Sequence, residues 1–298
     1  HRNEAMSYEP RRPARQEILH IRGLAHRVLR WGPESDDPVL LLHGWADSAD
    51  SFQFIADEIA PHWPLAAFDW RGFGHSEWFP GGYWFPDYYA DLEQLLDQLC
   101  PAGAARLVGH SMGGSISMTY AGIRPARVRS LVNLEGFGLP RTEPAQAPAR
   151  HAKWLDQLSE APEFGDYADV CDLAKRLMRR NPRLTEDRAS FIAKCWTMPL
   201  PGGGVRLRAD PAHRLVNPYL YRREEMEACW RRLTASVLMI FGGKSDLATR
   251  LGMEGGEAAF RACIPNARIE VLADAGHMLH HEEPATVARI IEGFLGSA

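Results

Sequence analysis

Short apolar runs recur along this chain, and most are followed by a longer amphipathic segment. PVLLLHG (38–44), WPLAAFDW (63–70), ARLVGHS (105–111), VRSLVNLEG (128–136) and SVLMIFGG (236–243) are too short for buried helices and too apolar for strands wetted on one face. SADSFQFIADEIA (48–60), PDYYADLEQLLDQLC (86–100), MGGSISMTYAGIRP (112–125) and segments near 254–263 and 284–295 carry helical spacing. Strands buried on both faces and alternating with helices predict an α/β fold, a mostly parallel sheet flanked by helices. EILHI (17–21) and AHRVLRW (25–31), joined by RGL, predict a leading hairpin, and ARIEVL (267–272) a last strand.

The alternation lapses over 137–232, where prolines, helical stretches and three tryptophans replace strand runs. This predicts a core of 1–136 and 233–298 with a helical cap, 137–232, inserted between two core strands. The insertion carries 17 Lys/Arg against 13 Asp/Glu, a net of +4, while the remainder is −8. Two readings stay open, solvated helix faces or a cap that draws anionic substrates to a cleft. The overall charge of −4 gives no basic excess for nucleic acid. Five scattered cysteines without a CxxC pair argue against a disulfide framework or zinc site, and for a reducing compartment. The first 20 residues lack the apolar core of a secretory signal, and Met6 is the expected natural start. With no run long enough to span a bilayer, the expectation is a cytoplasmic protein that binds a small molecule and neither membrane nor nucleic acid; oligomeric state is not predicted.

The chemistry concentrates at strand ends. Gly109-His110-Ser111-Met112-Gly113 is a G-x-S-x-G between a strand and a helix. A turn that sharp lifts the serine hydroxyl out of the sheet, and side chains two residues to either side would clash, so glycines stand there. The N–H of Met112, at a helix N-terminus, points to the same space. A serine needs a base. Of twelve histidines, His277 sits in a Gly-His step after the last strand, where parallel sheets place their sites; His280 and His281 read as surface residues of the next helix. His43-Gly44 permits a sharp turn that aims the Trp45 N–H as a second oxyanion donor, with the Trp45 ring walling a substrate pocket. Phe137 is expected in the same pocket. Asp69 reads as a structural hydrogen-bonding residue. Glu135, at the end of an apolar run before Gly136, is either a structural carboxylate or part of the site.

These segments together resemble the α/β-hydrolase superfamily: His43-Gly44-Trp45, Asp69 to Ser76, the Ser111 elbow, FGGKSD (241–246) and DAGHM (274–278). The resemblance implies a Ser/acid/His triad. The acid usually follows the strand after the cap, which makes Asp246 the expected acid; some relatives use the strand before the cap, which makes Glu135 the alternative acid or a second carboxylate near the site. Ser111 at the elbow disfavours the aspartate-nucleophile branches, epoxide hydrolases and haloalkane dehalogenases. The expected activity is hydrolysis of small or medium carboxylic esters through an acyl-enzyme, with no metal or organic cofactor. The alternatives are C–C bond hydrolysis or cofactor-free haloperoxidase (perhydrolase) chemistry with the same triad, or a ligand receptor on a hydrolase scaffold.

Overall fold

The computed structural model describes residues 7–297, so the expected start at Met6 lies outside the described residues. β1 (Arg15–Ile21) and β2 (Leu24–Trp31) form the hairpin, turning through Arg22 and Gly23 at positive φ. Then follow β3 (Val39–Leu42), α1 (Gln53–Glu58), β4 (Leu65–Phe68), α2 (Phe85–Leu99), β5 (Ala105–His110), α3 (Met112–Ile123) and β6 (Val128–Leu134). The expected helix over 48–60 is broken: its first turn, Ala49–Phe52, is 3₁₀, and the Ala49 N–H is held by the Asp69 carboxylate at 2.8 Å.

Between β6 and the next sheet strand lie α4 (Ala147–Ser159), β7 (Asp166–Tyr167), α5 (Val170–Arg180), α6 (Glu186–Trp196), β8 (Thr197–Pro199), β9 (Val205–Leu207) and α7 (Arg223–Trp230). The sheet resumes with β10 (Ser236–Gly242), followed by α8 (Leu247–Leu251), α9 (Glu257–Cys263), β11 (Arg268–Leu272), α10 (Leu279–Glu282) and α11 (Pro284–Leu295). The main sheet has the order β1-β2-β4-β3-β5-β6-β10-β11, and every pairing from β4 to β11 is parallel.

Each inner strand divides its side chains between two cores. Leu40, Leu42, Leu107, Leu131 and Met239 join the face covered by α2, α3 and α9; Val39, Leu41, Val108, Val132, Leu238 and Ile240 join the face covered by α1 and α11. The apolar runs of the sequence reflect this burial on both sides.

The insertion departs from the expectation in two ways. It holds a small antiparallel sheet, β7-β9-β8, beside its helices, with Leu173, Ala174, Leu184, Ala189 and Ala193 in a core of their own. Its last helix, α7, packs on α3 instead, so closely that a Cβ on Gly122 would run into the Cys229 carbonyl, and Trp230 joins the main core. Many of its arginines are engaged locally, Arg176 with Asp172, Arg206 with Asp166 and Arg141 with Glu227 and Glu254, in keeping with solvated faces.

His280 and His281 are not surface residues. They are 0% and 2% exposed, because α10 is a short helix wedged between α1 and α11. Burial drives the His281 imidazole down to about 3 and that of His43 to about 4, and holds His110 and His280 well below their ordinary range. In the folded chain these rings are neutral near pH 7. Since their folded values lie below the unfolded value of about 6.5, the unfolded chain takes up protons first as pH falls, and stability drains away from about pH 6.5 down to about pH 3. Asp47, pushed up by burial to about 7, works in the opposite sense, but it is one group against several. Urea titrations at about pH 7, 6 and 5 are expected to give steadily falling unfolding free energies, and His281→Phe a shallower slope, by up to about 1.4 kcal/mol per pH unit.

Candidate active site

The loops that follow β3, β5, β6, β10 and β11 gather at the C-terminal edge of five adjacent strands, where parallel sheets open a crevice. Ser111, between β5 and α3, has φ 52° and ψ −117°, a conformation costing about 1–3 kcal/mol for a non-glycine residue. Its surroundings leave it no other. The Ser111 N–H donates to the Leu134 carbonyl at 2.8 Å. A Cβ on Gly109 would stand 2.5 Å from the Gly113 carbonyl oxygen, and a Cβ on Gly113 would strike the Leu42 and His43 carbonyls. The glycines of the motif are therefore demanded by backbone contact between β3, β5 and α3.

His277 faces the serine, with Nε2 3.0 Å from Ser111 Oγ. On its other side Nδ1 lies 3.1 Å from Glu135 Oε1. A carboxylate accepts, so the proton sits on Nδ1 and leaves the Nε2 lone pair for the serine hydroxyl. Glu135 is 1% exposed and itself adopts a positive φ of 62°. Its carboxylate also accepts from the Gly242 N–H at 3.0 Å through Oε2 and from the Ser245 hydroxyl through Oε1. The turn beyond it is pinned by Asn133, whose Oδ1 accepts from the Gly136 N–H at 2.8 Å.

The expectation that Asp246 is the acid is not met. Asp246 precedes α8, its side chain is 65% exposed, and it pairs with Arg250 at 3.2 Å. The residue of that loop turned inward is Ser245, one position earlier, and it reaches Glu135 rather than the imidazole. Nothing local in GGKSD marks the difference.

The turn after β3 is built by a histidine whose tautomer can be assigned. His43 Nε2 accepts from the Trp70 N–H at 3.0 Å, so Nδ1 bears the proton and donates to the Gly44 carbonyl at 2.6 Å. The turn presses on the serine: a Cβ on Gly44 would sit 3.2 Å from Ser111 Cβ. Among the described residues, neither the Trp45 nor the Met112 N–H is bonded within the protein, which leaves both available beside Ser111. Trp45 is 49% exposed, and its ring lies 5.7 Å from that of Phe164, a residue of the insertion.

Phe137 is not a pocket residue. It is 1% exposed, under the Arg223 guanidinium and between Trp230 and Phe260. An apolar cleft of about 780 Å³ runs between Trp84–Tyr89, α4 and 217–226, lined by aromatic residues such as Trp84, Trp154 and Tyr221, but by none of Ser111, Glu135 and His277. Asp69 is structural, as expected: it accepts from Arg27 Nε at 2.7 Å and from the N–H groups of Ala49 and His75, both at 2.8 Å. Two positioning groups carried no sequence signal. Glu282, paired with Arg183 of the insertion, accepts the Gly276 N–H at 2.9 Å, and His110 Nε2 meets the His277 carbonyl at 2.8 Å; together they fix the loop that carries His277.

The sequence matches the family described as alpha/beta hydrolase fold over residues 37–284. The chain belongs to that family. It is 28% identical over 275 residues to a serine hydrolase-like protein of Danio rerio, covering 89% of this chain and 83% of that one. It is 26% identical over 257 residues to 2-(acetamidomethylene)succinate hydrolase of Mesorhizobium japonicum, covering 86% and 87%. A thioesterase domain from the curacin biosynthetic pathway superposes with a TM-score of 0.80 at 25% identity, covering 94% of this chain and 99% of that one. Among the described residues no helix is long and apolar enough to cross a membrane.

The two carboxylates rank clearly by position. Glu135→Gln is expected to lower kcat by about 10³–10⁴, through loss of the tautomer and of the charge beside an imidazolium. Asp246→Asn should stay within about twofold, as an exposed pair contributes little. Because the inward-facing position of the β10 loop is 245, Ser245→Asp should restore part of the activity lost in Glu135→Gln. Steady-state kinetics of the three variants on one activated ester checks the ranking; a large loss in Asp246→Asn with none in Glu135→Gln would reverse it.

Proposed function

We propose that the chain is a serine esterase that cleaves small or medium carboxylic esters through an acyl-enzyme. The observation that carries this reading is the continuous relay from Ser111 Oγ through His277 to the buried Glu135 carboxylate, with contacts of 3.0 and 3.1 Å. In this mechanism His277 Nε2 takes the serine proton as Oγ attacks the ester carbonyl. The negative charge that forms on the carbonyl oxygen is met by the N–H groups of Trp45 and Met112, already oriented by backbone packing. The imidazolium is stabilised by Glu135 and returns its proton to the leaving alcohol. Water, deprotonated by the same imidazole, then releases the acid. No step calls for a metal or organic cofactor.

The insertion acts as the cap in this reading. Its contact with the reaction centre runs through Phe164 against Trp45, and through Arg183 on Glu282 beside the His277 loop. The Phe164 contact supports an acyl site bounded by the Trp45 ring. The substrate is a small molecule.

Labelling with a fluorophosphonate probe and turnover of p-nitrophenyl esters of increasing acyl length test the proposal. Wild type should be labelled once and turn over short esters fastest; Ser111→Ala should lose the label and nearly all turnover while keeping its circular dichroism spectrum. Labelling that persists in Ser111→Ala, or a folded wild type inert to every ester and to the probe, would overturn it.

A further inference from the structure

Next to the elbow, where the loop after β3 meets α10, lies a buried polar group that takes no part in the proposed reaction. A carboxylate oxygen of Asp47 and a ring nitrogen each of His110 and His280 lie within 4.8 Å of one another, and all three residues are buried, at 5%, 1% and 0% exposure. The group is made of orphans. Asp47 Oδ1 accepts from the Ser48 N–H at 2.7 Å, the Trp196 indole N–H at 2.8 Å and the Ser51 hydroxyl, while Oδ2 has no partner. His110 Nδ1 and both ring nitrogens of His280 are likewise unpartnered.

Proton positions sharpen this. The His277 carbonyl can only accept, so the hydrogen of the His110 ring is on Nε2 and its Nδ1 is a bare lone pair. Asp47 Oδ2 and His110 Nδ1 are thus buried acceptors with no hydrogen-bond partner, and His280 beside them, a neutral imidazole with one N–H and one lone pair, is equally unpartnered. A buried polar atom left unmatched costs about 1–3 kcal/mol. One carboxylate oxygen and two imidazole nitrogens are a ligand set suited to first-row divalent ions.

We propose that Asp47, His110 and His280 form a binding site for a single divalent transition cation of the Zn²⁺ class. A tetrahedral Zn²⁺ with bonds of about 2.0–2.1 Å spaces its ligand atoms about 3.3 Å apart, so the three need to close by no more than ~1.5 Å. The ion stands outside the chemistry of Ser111. It ties the loop after β3 to the elbow and to α10, and through His110 to the loop carrying His277, so its role is to hold those elements together.

The test needs no turnover, so its outcome is independent of the esterase reading. Full-length chain freed of metal with a chelator is titrated with Co²⁺, followed by calorimetry and visible absorption, and melted with and without Zn²⁺. Wild type should bind one equivalent, with the absorption of a four- or five-coordinate Co²⁺ site and a raised Tm. Asp47→Asn keeps an acceptor for the three donors on Oδ1 yet removes the charge, and should weaken binding at least about tenfold, as should His280→Phe. His281→Phe and Ser111→Ala should bind as wild type. Absence of saturable binding in wild type would overturn the proposal and leave a water as the occupant. So would binding unchanged in both Asp47→Asn and His280→Phe but lost in His277→Ala, which would put the ion at the serine. Should His280→Phe fail to fold, Asp47→Asn decides.

Discussion

One buried carboxylate ties the candidate site together. Glu135 leaves β6 with a left-handed backbone and collects the imidazole of His277, the Gly242 N–H and the Ser245 hydroxyl. Those partners come from the end of β10 and the loops after β10 and β11, the two strands that follow β6 in the sheet order. A carboxylate at 1% exposure is tolerable only when its oxygens are matched in this way. The register of β6 on β10, with Leu134 opposite Ile240, decides that Gly242 and Ser245 are the residues within reach. Sheet register, a property of the apolar core, thereby sets the geometry of the proposed proton relay.

The elbow shows the same dependence of chemistry on packing. Ser111 is held at positive φ because Gly109 and Gly113 let three backbones touch, and those contacts exist because Leu40, Leu42 and Leu107 pull β3 and β5 into one core. The stress at the serine is offset by burial elsewhere. A substitution in β3 far from the reaction would be felt there through the Leu42 and His43 carbonyls rather than through any side chain at the site.

Much of this was legible in the residues. Burial on both faces leaves short apolar runs, so the sheet and its helices could be read directly. The elbow and its glycines were legible because the constraint acts within a few residues. The acid was not, because the choice lay between Glu135 and a loop more than 100 residues away in sequence, and turned on which of two consecutive residues, Ser245 or Asp246, points inward. The environment of α10 was missed for a related reason. Four residues are too few to show a buried face, and histidines beside two glutamates look solvent-facing until α1 and α11 close over them. Phe137 at a strand end reads as pocket lining, and what buries it instead is the Arg223 guanidinium, which comes from a helix 86 residues further along the chain.

The order of the relay along the chain has a consequence for how the protein is made. Ser111 and Glu135 are close in sequence, whereas the histidine that links them lies 166 residues beyond the one and 142 beyond the other. During synthesis the hydroxyl and the carboxylate exist long before the imidazole, and the whole insertion must emerge in between. Until β11 docks on β10 the serine has no base and stays an ordinary alcohol. In the proposed mechanism the nascent chain is thus silent toward esters, and reactivity switches on only when the last strand of the sheet is in place.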